Sequence, residues 1–360
     1  MGKVVYLLGA GASFGRRDPD NPEAVFQYDY VVNGIGKLLT ECQYPKILEG
    51  LPIVTELPGR MEYIVGKIYE NYPLDRTDEQ CVQARGLAEN LKWLIIESKR
   101  HATIDTFAKK LWLTGNQEDY NKLKRTLCAY FMLEQMFNKP DKRYDAFFAS
   151  ILGRDAKDLP SNVRILSWNY DIQLELAYAE FLQNNDLNNL EKALLFFQKV
   201  VDSNNYRMGD GFRVIKLNGS ALMYDASNRN VVSPVFDNQT LSAFEIGKVS
   251  SLINSGSYCC ALSFAWEDPD DVFLEKIRKN IEGAEALVVI GYSFPYFNRT
   301  IDKFIIDSMS RLQTIYIQDK DPDEKEQSVL NLLSSTASII HKPKIVKLYH
   351  TQQFYLPPEL

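Results

Sequence analysis

Val4-Val5-Tyr6-Leu7-Leu8 runs directly into Gly9-Ala10-Gly11-Ala12-Ser13, and Gly15 extends the small-residue pattern to G-A-G-A-S-x-G. Five apolar residues in a row read as a strand buried on both faces, as in parallel sheets, rather than as the alternation of a half-exposed strand. Glycines at 9 and 11 permit positive φ and close backbone approach. With small Ala12 and Ser13 after them, backbone amides can face a phosphate without side-chain obstruction. A tight structural turn uses the same residue types. The loop lacks the Gly-Lys-Ser/Thr ending of a P-loop, which counts against ATP hydrolysis of that kind. No acidic residue ends a second strand about 20 residues on, so an ordinary dehydrogenase fingerprint is incomplete.

Working outward, four more apolar runs repeat the arrangement: Val163 to Leu166, Arg213 to Leu217, Ala286 to Ile290 and Thr314 to Ile317. Each leads into a polar or glycine-containing turn: SWNYD, NGS, GYSFP and QDKDP. Lys344 to Tyr349 is a sixth candidate strand. In open α/β sheets ligands bind beyond the carboxyl ends of the strands, so these turns can converge on one crevice. Between the first and second runs the texture changes. Met61 to Tyr72, Gln83 to Ser98, Ile104 to Leu113 and Asn121 to Phe137 carry the apolar spacing of amphipathic helices. Asp171 to Asn184, Leu190 to Val201 and Phe273 to Ile281 read as further helices, and Asp225 to Asn238 as a loop. The expected fold is α/β: a Rossmann-like, doubly wound parallel sheet over residues 1–20 and 160–360. Residues 21–159 form a helical insertion packed over the crevice, as a lid or as a structural layer.

Composition bounds the function. The 360 residues are 45% hydrophobic and 24% charged, which suits a soluble globular chain of one large domain or two. A net charge of -6 without a basic block argues against direct nucleic-acid binding, which needs clustered Lys and Arg. No apolar stretch approaches the roughly 18 residues of a membrane helix, and no secretory signal is visible, so a cytoplasmic protein is expected. The five cysteines contain no C-x-x-C pair, which makes a zinc ribbon unlikely and fits a reducing compartment.

The remaining turns supply candidate chemistry. Asn169 and Asp171 place an amide and a carboxylate two residues apart after a buried strand, suited to ribose hydroxyls or a held water. Asp171 also suits the cap of the following helix. Asn218-Gly219-Ser220 follows the third run. Gly291 and Ser293 follow the fourth, with glycine again allowing close approach and Ser293 able to reach a phosphate or ribose.

Taken in order, G-A-G-A-S, x-x-N-Y-D, K-L-x-G-S and I-G-Y-S-F-P resemble the sirtuin-like domains of bacterial anti-phage defence proteins, relatives of the protein-deacylating sirtuins. The resemblance covers roughly residues 1–320, and Ile104-Asp105-Thr106-Phe107 resembles a short Ile-Asp motif of their helical region. It implies that Gly9, Ala10, Gly11, Ala12 and Ser13 hold the pyrophosphate of NAD. Asn169 would engage the nicotinamide ribose and position the attacking water, with Asp171 supporting its turn. Gly219 and Ser220 would line the site, Gly291 and Ser293 would contact the adenosine ribose and phosphate, and Asp319 would face the adenosine ribose. The activity implied is hydrolysis of NAD to nicotinamide and ADP-ribose.

Two departures matter. The zinc-binding cysteine pairs of the deacylases are absent, so no zinc and no lysine deacylation are expected. The third turn reads Leu-Asn-Gly-Ser where active relatives have Leu-His-Gly. Asn218 can bond a ribose hydroxyl but cannot take its proton, and general-base help is typically worth about 10²–10⁴-fold. The histidines are His101, His341 and His350. His101 precedes the helix Ile104 to Leu113 and reads as an exposed helix-start residue, the alternative being that it swings over the crevice. Three readings stay open: a slow NAD hydrolase, a catalytically silent module that binds NAD or ADP-ribose, and a structural subunit. A homo-oligomer or an activating protein partner is compatible with each, and no residue separates NAD from NADP.

Overall fold

The computed structural model describes residues 2–13, 53–137, 140–183, 187–199, 211–228, 230–232, 243–267, 269, 271–334 and 342–360. The chain divides into two compact units: Met1–Ser13 with Lys142–Ser220 and Ser263–Leu360, and Phe14–Asp141 with Ala221–Leu262.

The first unit holds a seven-stranded sheet. Its strands are β1 (Lys3–Leu8), β2 (Val163–Ser167), β3 (Phe197–Gln198), β4 (Arg213–Lys216), and, beyond the second unit's strands, β8 (Ala284–Ile290), β9 (Thr314–Gln318) and β10 (Lys344–Leu348). The order is β10-β9-β8-β1-β2-β4-β3, and every recorded pairing is parallel. All six expected strands are present within one or two residues of their expected ends. This is the α/β, Rossmann-like architecture expected.

Burial on both faces explains why these runs are continuous. Val5 and Leu7 join Leu166, Ile215, Leu287, Val289, Ile315 and Ile317 in one apolar cluster. That cluster also takes residues from α9 (Asp271–Ile281), α10 (Arg299–Ser308) and α11 (Pro322–Leu333). On the other face Tyr6 meets Phe147 of α5 (Lys142–Ile151) edge-on at 5.1 Å. Phe148 packs at 5.0 Å on Tyr178 of α6 (Gln173–Leu182). Burying a side chain of this size stabilises by about 1.5–3 kcal/mol, so helices on both faces are what make an all-apolar strand favourable.

One expected helix is corrected. Leu190 to Val201 is helical only as far as Ala193, the end of α7 (Leu187–Ala193). Leu195 takes φ 44°, and Phe197–Gln198 then pairs with Ile215 and Lys216 as β3. Four apolar residues at 194–197 fit a helix face and a short buried strand equally well, and the sheet edge decides.

The second unit is mainly helical, with α1 (Ile53–Asn71), α2 (Glu79–Arg100), α3 (Ile104–Leu113), α4 (Gln117–Phe137) and α8 (Ala243–Asn254). Leu87, Leu91 and Leu94 give α2 its buried stripe at three- and four-residue spacing. Caps fix the helix starts: the Asp78 carboxylate accepts from Cys81 N–H at 3.1 Å, and Thr103 Oγ1 accepts from Thr106 N–H at 3.0 Å. The strands β5 (Gly219–Asp225), β6 (Val231–Val232) and β7 (Tyr258–Leu262) form a small sheet in the order β6-β5-β7. The expected loop from Asp225 is therefore part of an antiparallel hairpin, with Tyr224 opposite Val231; residues 233–238 lie outside the described residues. No helix among the described residues is long and apolar enough to cross a membrane.

Candidate functional site

Because the first unit's sheet is parallel, the turns after β1, β2, β4, β8 and β9 all leave its carboxyl edge. Backbone bonds carry the ladder past the strand ends. Gly9 N–H donates to Ile290 C=O and Gly291 N–H to Gln318 C=O, each at 3.0 Å. Trp168 N–H donates to Leu8 C=O at 3.0 Å, and Leu217 N–H to Ser167 C=O at 2.9 Å. Strand order reverses direction between β1 and β8, the switch point where such sheets open a ligand crevice.

At that point the glycines have a measurable reason. A Cβ on Gly9 would stand 2.6 Å from Gly291 O and from Tyr292 Cα, and one on Gly11 would stand 2.8 Å from Gly291 Cα. Gly291 has φ 55°, and a Cβ there would run into Gly11 Cα. The two turns lie backbone against backbone, so the absent side chains are accounted for by this contact. Gly11 N–H donates to Gly291 C=O and Ala12 N–H to Gly9 C=O, each at 2.9 Å. With Gly9 N–H also taken, three amides of the expected phosphate cradle are bonded internally. Ala10 is exposed and Ala12 is buried.

Ser13 ends the short 3₁₀ turn Ala10–Ser13 and draws the second turn in. Its Oγ donates to Asp171 Oδ1 at 3.1 Å and accepts from Asn169 Nδ2 at 3.0 Å. The same Asn169 nitrogen donates to Gly9 C=O at 2.8 Å. Both amide protons are thus committed, which fixes the plane of the side chain and leaves Oδ1 as its acceptor for a hydroxyl or water. Asp171 Oδ1 also accepts from Gln173 N–H at 3.1 Å; the cap position itself is Ile172, one residue after the one expected, so Asp171 closes the turn before the helix. Ser13, Asn169 and Asp171 form one bonded group.

Residues that the sequence did not single out hold this group. Arg143, on α5, donates through Nη2 to Gly11 C=O at 2.8 Å and to Ala12 C=O at 3.3 Å. Its cation stands directly behind the loop, a location that favours an anion on the loop's far side. Tyr144 OH lies 2.9 Å from Ser13 Oγ. Lys216, buried at the end of β4, donates to Asp171 C=O and pairs with Glu175 at 3.3 Å. Burial raises the Glu175 carboxyl, with Lys216 opposing that rise.

A second buried acid links the turns after β2 and β8. Asp302 of α10 accepts from Trp168 Nε1 at 3.2 Å and from Tyr292 OH at 2.8 Å. Asn298 Nδ2 donates to Tyr292 OH at 2.9 Å, and the Trp168 and Tyr292 rings stack at 6.1 Å. Burial pushes the Asp302 carboxyl from 3.8 up to about 8, against the opposite pull of the Tyr292 and Trp168 hydrogen bonds.

Asn218 stands after β4, next to the turn after β2 in strand order. It is 5% exposed, and its Oδ1 is buried without a hydrogen-bond partner. The other expected residues fall outside the bonded group. Gly219 has φ 69°, the left-handed region that glycine supplies freely, while the buried Ser220 hydroxyl donates to Gln198 Oε1 at 2.7 Å. Ser293 is exposed, and the Asp319 carboxylate accepts from Asp321 N–H at 3.0 Å in the turn before α11. His350 is exposed, and His341 lies outside the described residues. In the second unit His101 is half-buried rather than exposed: Nδ1 lies 2.9 Å from Glu97 C=O, and the ring stacks on Phe107 at 4.7 Å. Asp105, in the first turn of α3, has its carboxyl pushed up to about 6 by burial. Among the described residues no group of three His, Cys, Asp or Glu is placed to hold a metal ion.

No protein-family model and no curated protein matches the chain. Among solved structures it is similar to one described as "The Structural basis of Sirtuin Substrate Affinity", at 11% identity and TM-score 0.36, covering 97% of this chain and 88% of that one. Overlap of that extent does not bear on ligand or chemistry.

Proposed function

We propose that the first unit binds NAD across the carboxyl edge of its sheet and hydrolyses it to nicotinamide and ADP-ribose. The observation that carries this reading is the bonded group Ser13–Asn169–Asp171, which unites the turns after β1 and β2 beside the switch point. Arg143 behind the loop supports an anionic ligand, and it offsets the internal use of three loop amides. The reaction breaks the bond between nicotinamide nitrogen and ribose C1, forms a bond from water oxygen to C1, and releases one proton. Nicotinamide leaves as a neutral molecule from a cationic glycoside, so the barrier responds mainly to electrostatics and water placement. In this assignment Asn169 Oδ1 receives the water or a ribose hydroxyl, Asp171 and Ser13 hold Asn169 in place, and Asn218 accepts from a ribose hydroxyl. Consumption of cellular NAD in anti-phage defence is the role implied by the sequence resemblance.

One observation favours a second reading, binding without turnover: where the resemblance implies a histidine on the ribose this chain has Asn218, an amide that accepts no proton at neutral pH. Incubation with NAD and chromatography of released nicotinamide, beside calorimetric binding, separates the two. Hydrolysis predicts release that Asn169→Ala abolishes while its far-UV circular dichroism stays that of wild type. Binding with no release decides for the silent module, and release unchanged in Asn169→Ala removes Asn169 from the chemistry.

A further inference from the structure

The segment that follows β10 is fastened to the ends of two strands of the first unit. Gln318, the last residue of β9 and buried, commits both amide protons and its oxygen to it. Nε2 donates to His350 C=O at 2.5 Å and to Gln353 C=O at 2.6 Å, and Oε1 accepts from Tyr355 N–H at 3.0 Å. Tyr6 OH, from β1, donates to Tyr355 C=O at 3.0 Å. A buried amide bonded through all its groups holds the backbone of its partners in one place. Between these bonds sits Phe354, also buried, whose ring meets Tyr144 edge-on at 5.1 Å and lies 5.9 Å from Phe147.

That ring carries a cation. The Arg143 guanidinium carbon stands 5.2 Å from the Phe354 centroid, within cation–π range, and Nη1 donates to Thr351 C=O at 3.2 Å. Through Nη2 the same guanidinium reaches Gly11 C=O and Ala12 C=O. One planar fork therefore ties the segment to the loop, a geometry that lysine does not reproduce. Two loop peptides turn their carbonyls, the negative ends of their dipoles, towards Arg143, so their positive ends face away from it. A guanidinium held there polarises them further in that sense and adds its own charge. An arginine stem has many rotamers, and the effect lasts only while the cation is kept behind the loop.

We propose that Phe354 is a positioning residue of the ligand site: with Thr351 C=O it pins Arg143 behind Gly11 and Ala12, and so sets the affinity for a pyrophosphate on the loop's far side. The proposal rests on the NAD reading above and adds to it a contribution from a segment remote in sequence.

The test is a double-mutant cycle on the full chain, with ADP-ribose binding measured by calorimetry at increasing sodium chloride for wild type, Arg143→Met, Phe354→Leu and the double variant. Arg143→Met is expected to weaken binding at low salt roughly 10-fold and to flatten its salt dependence. Phe354→Leu, which keeps an apolar side chain in the cluster, should weaken it roughly 3- to 10-fold and flatten the salt dependence in part. The double variant should bind no more weakly than Arg143→Met, because Phe354 acts through that cation. Phe354→Met takes the place of leucine if the leucine variant loses the circular dichroism of wild type. Losses that add in the double variant, or no loss in Phe354→Leu, overturn the proposal. So does a weakened Phe354→Leu with the salt dependence of wild type, the result for a ring that only packs. Wild-type chain that binds no ADP-ribose refutes the NAD reading itself and takes the proposal with it.

Discussion

Replacing Asp302 by asparagine removes one proton-binding site while keeping an acceptor for Trp168 and Tyr292. The buried carboxyl titrates near 8 in the folded chain against 3.8 for the ordinary group. Between those values the unfolded chain has released its proton and the folded chain retains it. Folding then becomes less favourable as pH rises, by about 1.4 kcal/mol per pH unit for one proton. The stabilising contribution of the neutral acid is full below pH 4 and is lost as pH passes through 8. Urea denaturation of wild type and Asp302→Asn at pH 5, 6, 7, 8 and 9 measures the effect. The wild-type advantage over the variant should fall by about 2.7 kcal/mol from pH 5 to pH 7 and level off above 8. That is a sizeable share of the roughly 5–15 kcal/mol that holds a domain folded. A difference between the two proteins that stays constant across this range would show that Asp302 is ionised throughout, and the assignment of a neutral buried acid would be wrong.

Two further outcomes follow from the packing. Gly9→Ala drives a Cβ into backbone at 2.6 Å and should cost more than about 2 kcal/mol, whereas Gly86→Ala, on α2 with nothing within 4 Å, should gain up to about 1 kcal/mol; similar melting shifts for the two would refute the turn-to-turn contact. Lys216→Met leaves Glu175 buried without its cation and should destabilise by about 3–5 kcal/mol, with part of the loss recovered at low pH where Glu175 takes a proton, as equilibrium unfolding would record.

The sheet was legible because its central strands are buried on both faces, which writes β1 and most of β8 as near-continuous apolar runs. Val4 to Leu8 could be placed from five letters for that reason. β3 was not, since Phe197–Gln198 sits inside an apolar stretch that a helix would use equally well. The bonded trio Ser13, Asn169 and Asp171 could be nominated because each lies at the carboxyl end of such a run. The meaning of the glycines could not be read. A missing side chain makes room for a ligand or for another piece of backbone, and only the distance from Gly9 to Gly291 tells which. Arg143 and Tyr144 went unnoticed because α5 has ten residues and no glycine, cap or charge pattern to flag it.

The position of β1 has a consequence for how the chain comes into being. Val4 pairs with Val163 on one side and with Ala286 on the other, so its two neighbours emerge from the ribosome about 160 and about 280 residues later. Until β2 is made this apolar strand has no partner in the sheet, and until β8 is made it has one on a single side only. It is an open hydrogen-bonding edge during translation, the kind of segment that chaperones shield and that aggregates when they do not. The strand at the centre of the finished sheet is thus the first to be made and keeps one edge open until β8 follows, so nascent chains stalled before residue 284 would carry the cost of its early birth.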